Sequence, residues 1–333
     1  MSSDTTDGAG YDENDTRKVI ENVRLEILSV LDDIFKRSSD VRPSYNLGHY
    51  TTGPGLIGII ESRIIHCTNI RYLNDASEFE YGISLLEQVA SPIGRMPGRS
   101  GKVAYYALNT PNLDMASLAR LGINQLGREY YVACFSEDSN QLGQWRAYSG
   151  GLGGYCLEFG ARHLQALATG HGASLRRCIY DEDEQMEMLL HFLHSVMTRS
   201  IEPALEGRAP PAKQAIENTV GYFLRNALAG LFQVFKHPSF REEQEWRLIK
   251  APQTAEEFSA RKFKPKTELI VPYIEFDLTR ENSGWDVGLI PRIVVGPNRH
   301  PELAAASLKH FLHVNQLSEV DIVPPTIPYR PLG

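Results

Sequence analysis

The sequence predicts an α+β fold, arranged as a single mixed domain with a helical insertion. Strand-like runs rich in β-favouring residues occur in both halves of the chain, and segments with helical periodicity separate them. Two long helical patterns follow one another at about 181–236. No internal repeat or clear linker divides the 333 residues, and the hydrophobic fraction of 42% is that of an ordinary globular protein with a core.

The domain boundaries follow from composition and periodicity. Residues 1–14 are polar, and we expect a disordered tail because they cannot offset the entropy of ordering. Apolar positions at helical spacing predict an N-terminal helix over 15–40. The main domain then spans 41–315, and a final strand and tail occupy 316–333.

The stretch 47–60 joins a polar step to an amphipathic helix. His49, Tyr50 and Thr51 precede a glycine-rich turn, Thr51 or the next threonine can cap the helix, and Pro54 suits its first turn. A helix start exposes unpaired N–H groups and partial positive charge, so a phosphate-bearing ligand could bind there beside His49 or Tyr50. Alternatively, a strand simply ends in a capped helix and His49 is structural.

Two further stretches place polar or glycine-rich residues next to a predicted strand. The pattern at 130–136 is a strand that closes on Ser136, at a sheet edge or cleft. After residues 144–148, the glycine-dense turn 149–154 leads into another strand. This order is not a dinucleotide-binding fingerprint, which requires a helix after the turn.

A second polar constellation occupies residues 236–249. On a strand, alternation predicts that Glu243, Glu245 and Arg247 share one face. Two carboxylates on one face repel each other, so one would have a raised pKa or be held ionised by Arg247. Active sites carry this pattern, but exposed ion-pair faces carry it as well.

Charge and cysteine content exclude several classes of protein. A net charge of −7 and a pI near 5.8 predict no footprint for duplex DNA, although a local basic groove could form. The cysteines form no CxxC pair or metal-ligand spacing, which predicts reduced core residues and no metal site. No apolar run approaches a membrane span, so we expect a cytoplasmic protein without a membrane partner.

Taken together, six ordered motifs resemble a bacterial family of unknown function, some of whose members carry abortive-infection labels. The motifs lie at residues 47–51, 72–78, 134–137, 144–148, 243–247 and 295–297. That family in turn resembles the ADP-ribosyltransferase superfold, and the start of the chain is similar to the DarT-like DNA-modifying toxins. The resemblance implies a split sheet around NAD as substrate. The long helices depart from it, because many transferases have only a loop there.

The resemblance also implies roles for individual residues. His49 would bind the adenosine ribose between Tyr50 and Thr51, Ser136 would take the middle position, and Glu245 would be the catalytic carboxylate. Glu243 would orient the acceptor or act as its base, and Arg247 would hold Glu245 ionised or contact a phosphate. Trp145 and Tyr148 would stack on a ring. Asn74 would bind the cofactor, or would only belong to a helix-capping segment.

The expected function is an NAD-dependent ADP-ribosyltransferase or NAD glycohydrolase in phage defence or toxin–antitoxin conflict. The acceptor could be protein, nucleic acid or water. One alternative is a non-catalytic interaction or sensor module, favoured if His49 and Glu245 lie far apart or if Glu245 is buried in an ion pair with Arg247. Another is a metal-dependent nuclease or hydrolase, which requires Asp75, Glu78, Glu243 and Glu245 to converge.

Overall fold

A computed structural model provides the coordinates for most of the chain. The residues it describes are 13–38, 46–73, 78–90, 129–148, 153–252, 254–266, 268–279, 285–286 and 288–325. Helices and one mixed sheet occur together in these residues, which confirms the predicted α+β class. The predicted tail lies almost wholly outside the described residues, as do Asn74 and Asp75.

The described elements are numbered in chain order. The helices are α1 (Glu13–Ser38), α2 (Gly53–Ser62), α3 (Glu78–Ala90), α4 (Leu142–Tyr148), α5 (Ala161–Gly170), α6 (Glu182–Val196), α7 (Glu202–Leu205), α8 (Pro210–Phe232), α9 (Ala255–Ser259) and α10 (Pro301–Val314). The strands are β1 (Asn46–Thr51), β2 (Ile64–Asn69), β3 (Tyr131–Ser136), β4 (Tyr155–Gly160), β5 (Ser174–Arg177), β6 (Glu245–Lys250), β7 (Lys262–Lys266), β8 (Leu269–Asp277), β9 (Arg292–Val295) and β10 (Asp321–Val323).

The chain divides into two compact units. A helical unit contains Met1–Ser38, Ser77–Arg128 and Asp181–Phe235, and a sheet unit contains the remaining segments. The two long helices that the sequence predicts at about 181–236 therefore belong to the same unit as the N-terminal helix.

The helical unit is held together by the apolar faces of α1, α3, α6 and α8. Their side chains form a core of leucine, isoleucine and valine, with Ile27, Leu85, Leu189 and Leu224 all fully buried. A π-helical turn, Met197–Ile201, follows α6. None of the helices in the described part of the chain is long and apolar enough to cross a membrane.

The described residues of the sheet unit contain ten strands. Their order is β10-β9-β4-β1-β3-β2-β8-β7, and β6 pairs with both β3 and β5. Strand β6 pairs with β3 along its whole length, from Tyr131 opposite Lys250 to Ser136 opposite Glu245. Since one edge of β3 is filled in this way, β1 and β2 share the other edge.

The two strands on that second edge leave a gap between them. Strand β1 pairs with β3 only where Gly48 lies opposite Ser136, and β2 pairs only near the start of β3. The middle of β3 therefore has no strand partner on this edge among the described residues. The gap lies directly beside the pocket described below.

The two faces of the sheet differ in character. The main core lies on one face and includes Leu47 of β1 together with apolar residues of α2, α5 and α10. Because side chains alternate along a strand, Tyr50 faces the other side, where a smaller cluster unites it with Trp145, Cys156 and Val294. Polar side chains occupy the rest of this second face near β3 and β6.

Candidate functional site

A pocket opens where the end of β3 lies between Gly48 of β1 and the start of β6. Its lining residues are Gly48, His49, Tyr50, Cys134, Phe135, Ser136, Gln144, Tyr148, Glu243 and Glu245. The empty volume is about 380 Å³, including the open mouth. Ser136 lies opposite both Gly48 and Glu245 in the sheet, so the strand register places Ser136 and Glu245 on one face. His49 follows Gly48, lies opposite Leu157 in β4 and lines the same pocket from the gap beside β3. His49 and Glu245 therefore line the same pocket.

Glu245 is buried in an ion-paired cluster. Arg247 donates from Nε to Glu245 Oε1 at 2.8 Å and from Nη2 to Oε2 at 3.1 Å, and Lys236 Nζ donates to Oε2 at 2.5 Å. The Glu245 side chain is 6% exposed and that of Arg247 is fully buried. Arg247 is thus engaged with Glu245, in the arrangement that favours the non-catalytic alternative.

Glu243 reaches the same cluster from a different backbone element. It ends the 3₁₀ turn Pro238–Glu243 rather than belonging to β6, because Gln244 adopts a left-handed conformation with φ of 44°. The expectation that Glu243 alternates onto the strand face with Glu245 is therefore wrong. The two carboxylates meet through Lys236, which donates to Glu243 Oε2 at 2.6 Å.

The cluster keeps Glu245 ionised. Burial by itself would raise the pKa of Glu245, but the charges of Arg247 and Lys236 outweigh burial, and hydrogen bonds from Arg247 and Cys134 add to them. The net effect is a pKa below the ordinary glutamate value. Of the two outcomes expected for adjacent carboxylates, ionisation enforced by Arg247 is the one found for Glu245.

His49 lies in the gap between β1 and β2. Its Nδ1 donates a hydrogen bond of 2.8 Å to the carbonyl oxygen of Cys134, a β3 carbonyl on the unpaired edge. Burial lowers the pKa of His49, and the bond to Cys134 only partly opposes this effect. The ring is therefore neutral, with its proton on Nδ1 and an acceptor lone pair on Nε2.

The hydroxyl groups of Tyr50 and Ser136 form hydrogen bonds with backbone groups around the pocket. The Tyr50 hydroxyl donates to Asp138 O at 2.7 Å and accepts from Gln141 N at 2.8 Å, which fixes the loop before α4. Ser136 Oγ donates to Glu243 O at 2.8 Å and accepts from Asp138 N. Both residues line the pocket, and both shape it.

The predicted stacking residues divide between the core and the pocket. Trp145 is 1% exposed, meets the Tyr50 ring edge-on at 4.7 Å and donates from Nε1 to Asn140, so it lies inside the protein. Tyr148 is 39% exposed and lines the pocket. Burial of its hydroxyl, followed by the charge of nearby groups that include Glu243, raises the pKa of Tyr148. A ligand ring in the pocket can therefore contact Tyr148 and cannot reach Trp145.

Thr51 and the start of α2 lie away from the pocket lining. Thr52 caps α2 by accepting a hydrogen bond from Gly55 N, which selects between the two threonines considered as caps. The predicted placement of a phosphate at this helix start draws no support from the pocket, whose described walls include neither Thr51 nor α2.

The site predicted from the sequence omits three residues that lie in or beside the pocket, namely Lys236, Gln144 and Cys134. Lys236 lies nine residues before Glu245 and reaches it only because the 3₁₀ turn folds back. Gln144 lines the pocket from α4. Cys134 could have been inferred, because it alternates with Ser136 on the same face of β3.

Metal-binding chemistry finds no support among the described residues. No group of three or more His, Cys, Asp or Glu side chains within them could hold a metal ion. Two of the four carboxylates that the metal-dependent alternative requires, those of Asp75 and Glu78, lie outside the described part of the chain. The cysteines are free thiols, with Cys134 half-buried and the other three buried.

Comparison with family models finds a match over part of the chain. A family model described as "Protein of unknown function (DUF2971)" matches residues 144–248. This segment runs from α4 to β6 and so contains Tyr148, Glu243 and Glu245, but it does not reach His49. It supports the predicted resemblance to a family of unknown function. No curated protein and no solved structure matches the chain.

Proposed function

We propose that the pocket binds the nicotinamide–ribose half of NAD and that the chain is an NAD-dependent ADP-ribosyltransferase or NAD glycohydrolase. One observation carries the proposal: His49, Ser136 and Glu245, which are far apart in sequence, all line one pocket. The gap between β1 and β2 beside β3 agrees with the split sheet that the family resemblance implies.

The charge and size of the pocket suit this half of the molecule. Cleavage of the bond between nicotinamide and ribose builds positive charge on the ribose carbon, and a nearby carboxylate stabilises it. The pyridinium ring is itself cationic before cleavage. The empty volume of about 380 Å³ includes the open mouth, so the pocket encloses only a fragment of a dinucleotide.

The two carboxylates differ in solvent exposure, and we assign them different roles for this reason. The side chain of Glu243 is 26% exposed and that of Glu245 is 6% exposed. Glu243 is thus the carboxylate that a ligand contacts most readily, and Glu245 supplies a fixed negative charge behind it. His49 Nε2 accepts a hydrogen bond from a ribose hydroxyl, and Tyr148 lies against the ring.

The reaction breaks the bond between ribose C1′ and the nicotinamide nitrogen, and the electron pair leaves with nicotinamide, which becomes neutral. An acceptor O–H or N–H group, or water, then forms a bond to C1′. Its proton passes to the carboxylate of Glu243, which can take it because the side chain reaches the pocket mouth. Transfer to water gives the glycohydrolase reaction, and transfer to a macromolecule gives the transferase reaction.

The test is nicotinamide release from NAD by the purified full chain. We expect Glu243→Gln and Glu245→Gln each to lower the rate by about 100-fold or more, as loss of a group that stabilises transition-state charge does. Glu242→Gln is the matched control, because Glu242 is adjacent and exposed. Circular dichroism verifies that each variant is folded. Equal rates in Glu242→Gln and Glu243→Gln would overturn the catalytic role of Glu243.

A non-catalytic sensor module is the second candidate, and the burial of Glu245 against Arg247 favours it. In that case the pocket binds its nucleotide and does not turn it over. Calorimetric titration with NAD separates the candidates: binding without nicotinamide release supports the sensor, and absence of binding excludes NAD for both. A role in phage defence rests on the family resemblance, and survival of phage-challenged cells that express wild type or Glu243→Gln tests it.

A further inference from the structure

The ammonium group of Lys236 is held between two carboxylates and an aromatic ring. Its Nζ lies 2.6 Å from Glu243 Oε2, 2.5 Å from Glu245 Oε2 and 5.2 Å from the centroid of the Phe240 ring. The Lys236 side chain is 6% exposed. Two of its three N–H donors are directed to carboxylates, and the ring offers a cation–π contact.

The backbone fixes where this ammonium group lies. Lys236 N donates to Ile179 O at 3.0 Å, just after β5, and Cys178 N donates to Glu245 O at 2.8 Å. The hydroxyl of Tyr180 accepts from Glu245 N at 2.8 Å. Lys236 and the start of β6 are thus tied to the same stretch, 178–180, and the lysine is directed at the pocket wall.

The ion pairs bring two negative charges close together. Because each carboxylate oxygen lies within 2.6 Å of the same Nζ, the two oxygens are no more than about 5 Å apart. Like charges at such a separation in a partly buried site disfavour the ionised form of at least one group. Lys236 is a cation bonded to both carboxylates, and Arg247 is bonded to Glu245 as well.

We propose that Lys236 is a positioning residue: its ammonium group holds Glu243 and Glu245 side by side, both ionised, so that the pocket presents paired anionic oxygens to a cationic ligand. The proposal rests on the proposed function for its consequence in catalysis, but the geometry is independent of turnover. The titratable or charged groups described around the pair include Arg247, Cys134, Tyr148 and Tyr180; Arg176 lies opposite Arg247 in β5, and His49 lines the same pocket.

The experiment compares wild type with Lys236→Met and Lys236→Arg. Glutamate labelled with ¹³C at the carboxyl carbon is titrated by NMR, and the signals of the pair are assigned with Glu243→Gln and Glu245→Gln. We expect Lys236→Met to raise the pKa of at least one of the two carboxyls by about one pH unit or more, and Lys236→Arg to restore it. The acid limb of nicotinamide release should move to higher pH in Lys236→Met by the same amount.

The two measurements separate this proposal from the proposed function. If the carboxyl titrations shift in Lys236→Met but no variant, nor wild type, releases nicotinamide, the positioning role is supported and the proposed enzyme function is rejected. Unchanged titrations in folded Lys236→Met overturn the positioning role, whatever the activity. If Lys236→Met does not fold, Glu243→Gln, which alters a partly exposed side chain, serves in its place. The ¹⁵Nζ signal of Lys236 should then shift relative to wild type, and an unshifted signal would overturn the proposal.

Discussion

At the scale of single residues, Glu243 and Glu245 show how near neighbours acquire different properties. Glu245 begins a strand beside buried Arg247, and Glu243 ends a 3₁₀ turn with a quarter of its side chain exposed. The sequence could predict that Arg247 keeps Glu245 ionised, because an arginine two residues along a strand shares its face. It could not predict the convergence on Lys236, which depends on a left-handed Gln244, and positive φ is uncommon for such a residue.

The neutral state of His49 leads to a prediction about pH. Burial depresses its pKa in the folded protein below the ordinary value of 6.5. A base with a depressed folded pKa contributes stability above its unfolded pKa and loses that stability as pH falls towards the folded pKa. We therefore expect wild type to lose stability relative to His49→Asn as pH falls below about 6.5, whereas the difference is constant at higher pH.

Urea unfolding of both proteins between pH 5 and 8 measures this difference. Asn is the matched substitution, because its amide N–H can still donate to Cys134 O and does not titrate. Parallel curves for wild type and His49→Asn would contradict the prediction.

At the scale of elements, β1 and α2 each contain a glycine, and the two positions differ in whether there is space for a Cβ atom. A Cβ atom at Gly48 would lie 2.6 Å from Cys156 Sγ and 3.2 Å from Ser139 Cα, so β1 and its neighbours must move apart to accept one. A Cβ atom at Gly58, on the exposed side of α2, meets nothing within 4 Å. Gly48→Ala should destabilise by about 1–3 kcal/mol through overpacking, and Gly58→Ala should stabilise by about 0.5–1 kcal/mol.

Chemical denaturation of the two variants checks the signs. Because Gly48 lines the pocket, Gly48→Ala should also weaken ligand binding, whereas Gly58→Ala should leave it unchanged. The double variant Gly48→Ala with Cys156→Ala should recover part of the lost stability, because it removes the sulfur that the new methyl group meets. If Gly48→Ala were as stable as wild type, β1 and β4 would be able to move apart at little cost in free energy, which would contradict the prediction.

The elements themselves were largely predictable, and their packing was not. Runs of β-favouring residues predicted β3 and β6 almost to their ends, and the threonine, proline and periodic isoleucines predicted α2. Trp145 belongs to a helix of only seven residues, too short to show which face is buried. Its position against Gly296 and Tyr50 arises from strands far away in sequence, and no local pattern reports such contacts.

At the scale of the whole molecule, each of the two units has an apolar core of its own. Leu224 of α8 is buried in the helical unit, and Leu157 of β4 is buried in the main core of the sheet unit. Replacing a buried leucine by alanine costs about 2–5 kcal/mol through lost burial and the cavity left behind. If each core stabilises its own unit, the cost falls mainly on the unit that contains the substitution.

Hydrogen exchange followed by mass spectrometry tests this division. We expect Leu224→Ala to accelerate amide exchange in α1, α6 and α8 and to leave β1, β3 and β6 protected, and we expect Leu157→Ala to give the reverse pattern. Equal acceleration in both units by either variant would show a single cooperative structure instead. The result bears on the pocket, because its described lining residues all belong to the sheet unit. Ligand binding should therefore survive Leu224→Ala and weaken in Leu157→Ala, since β4 pairs with β1 directly behind His49.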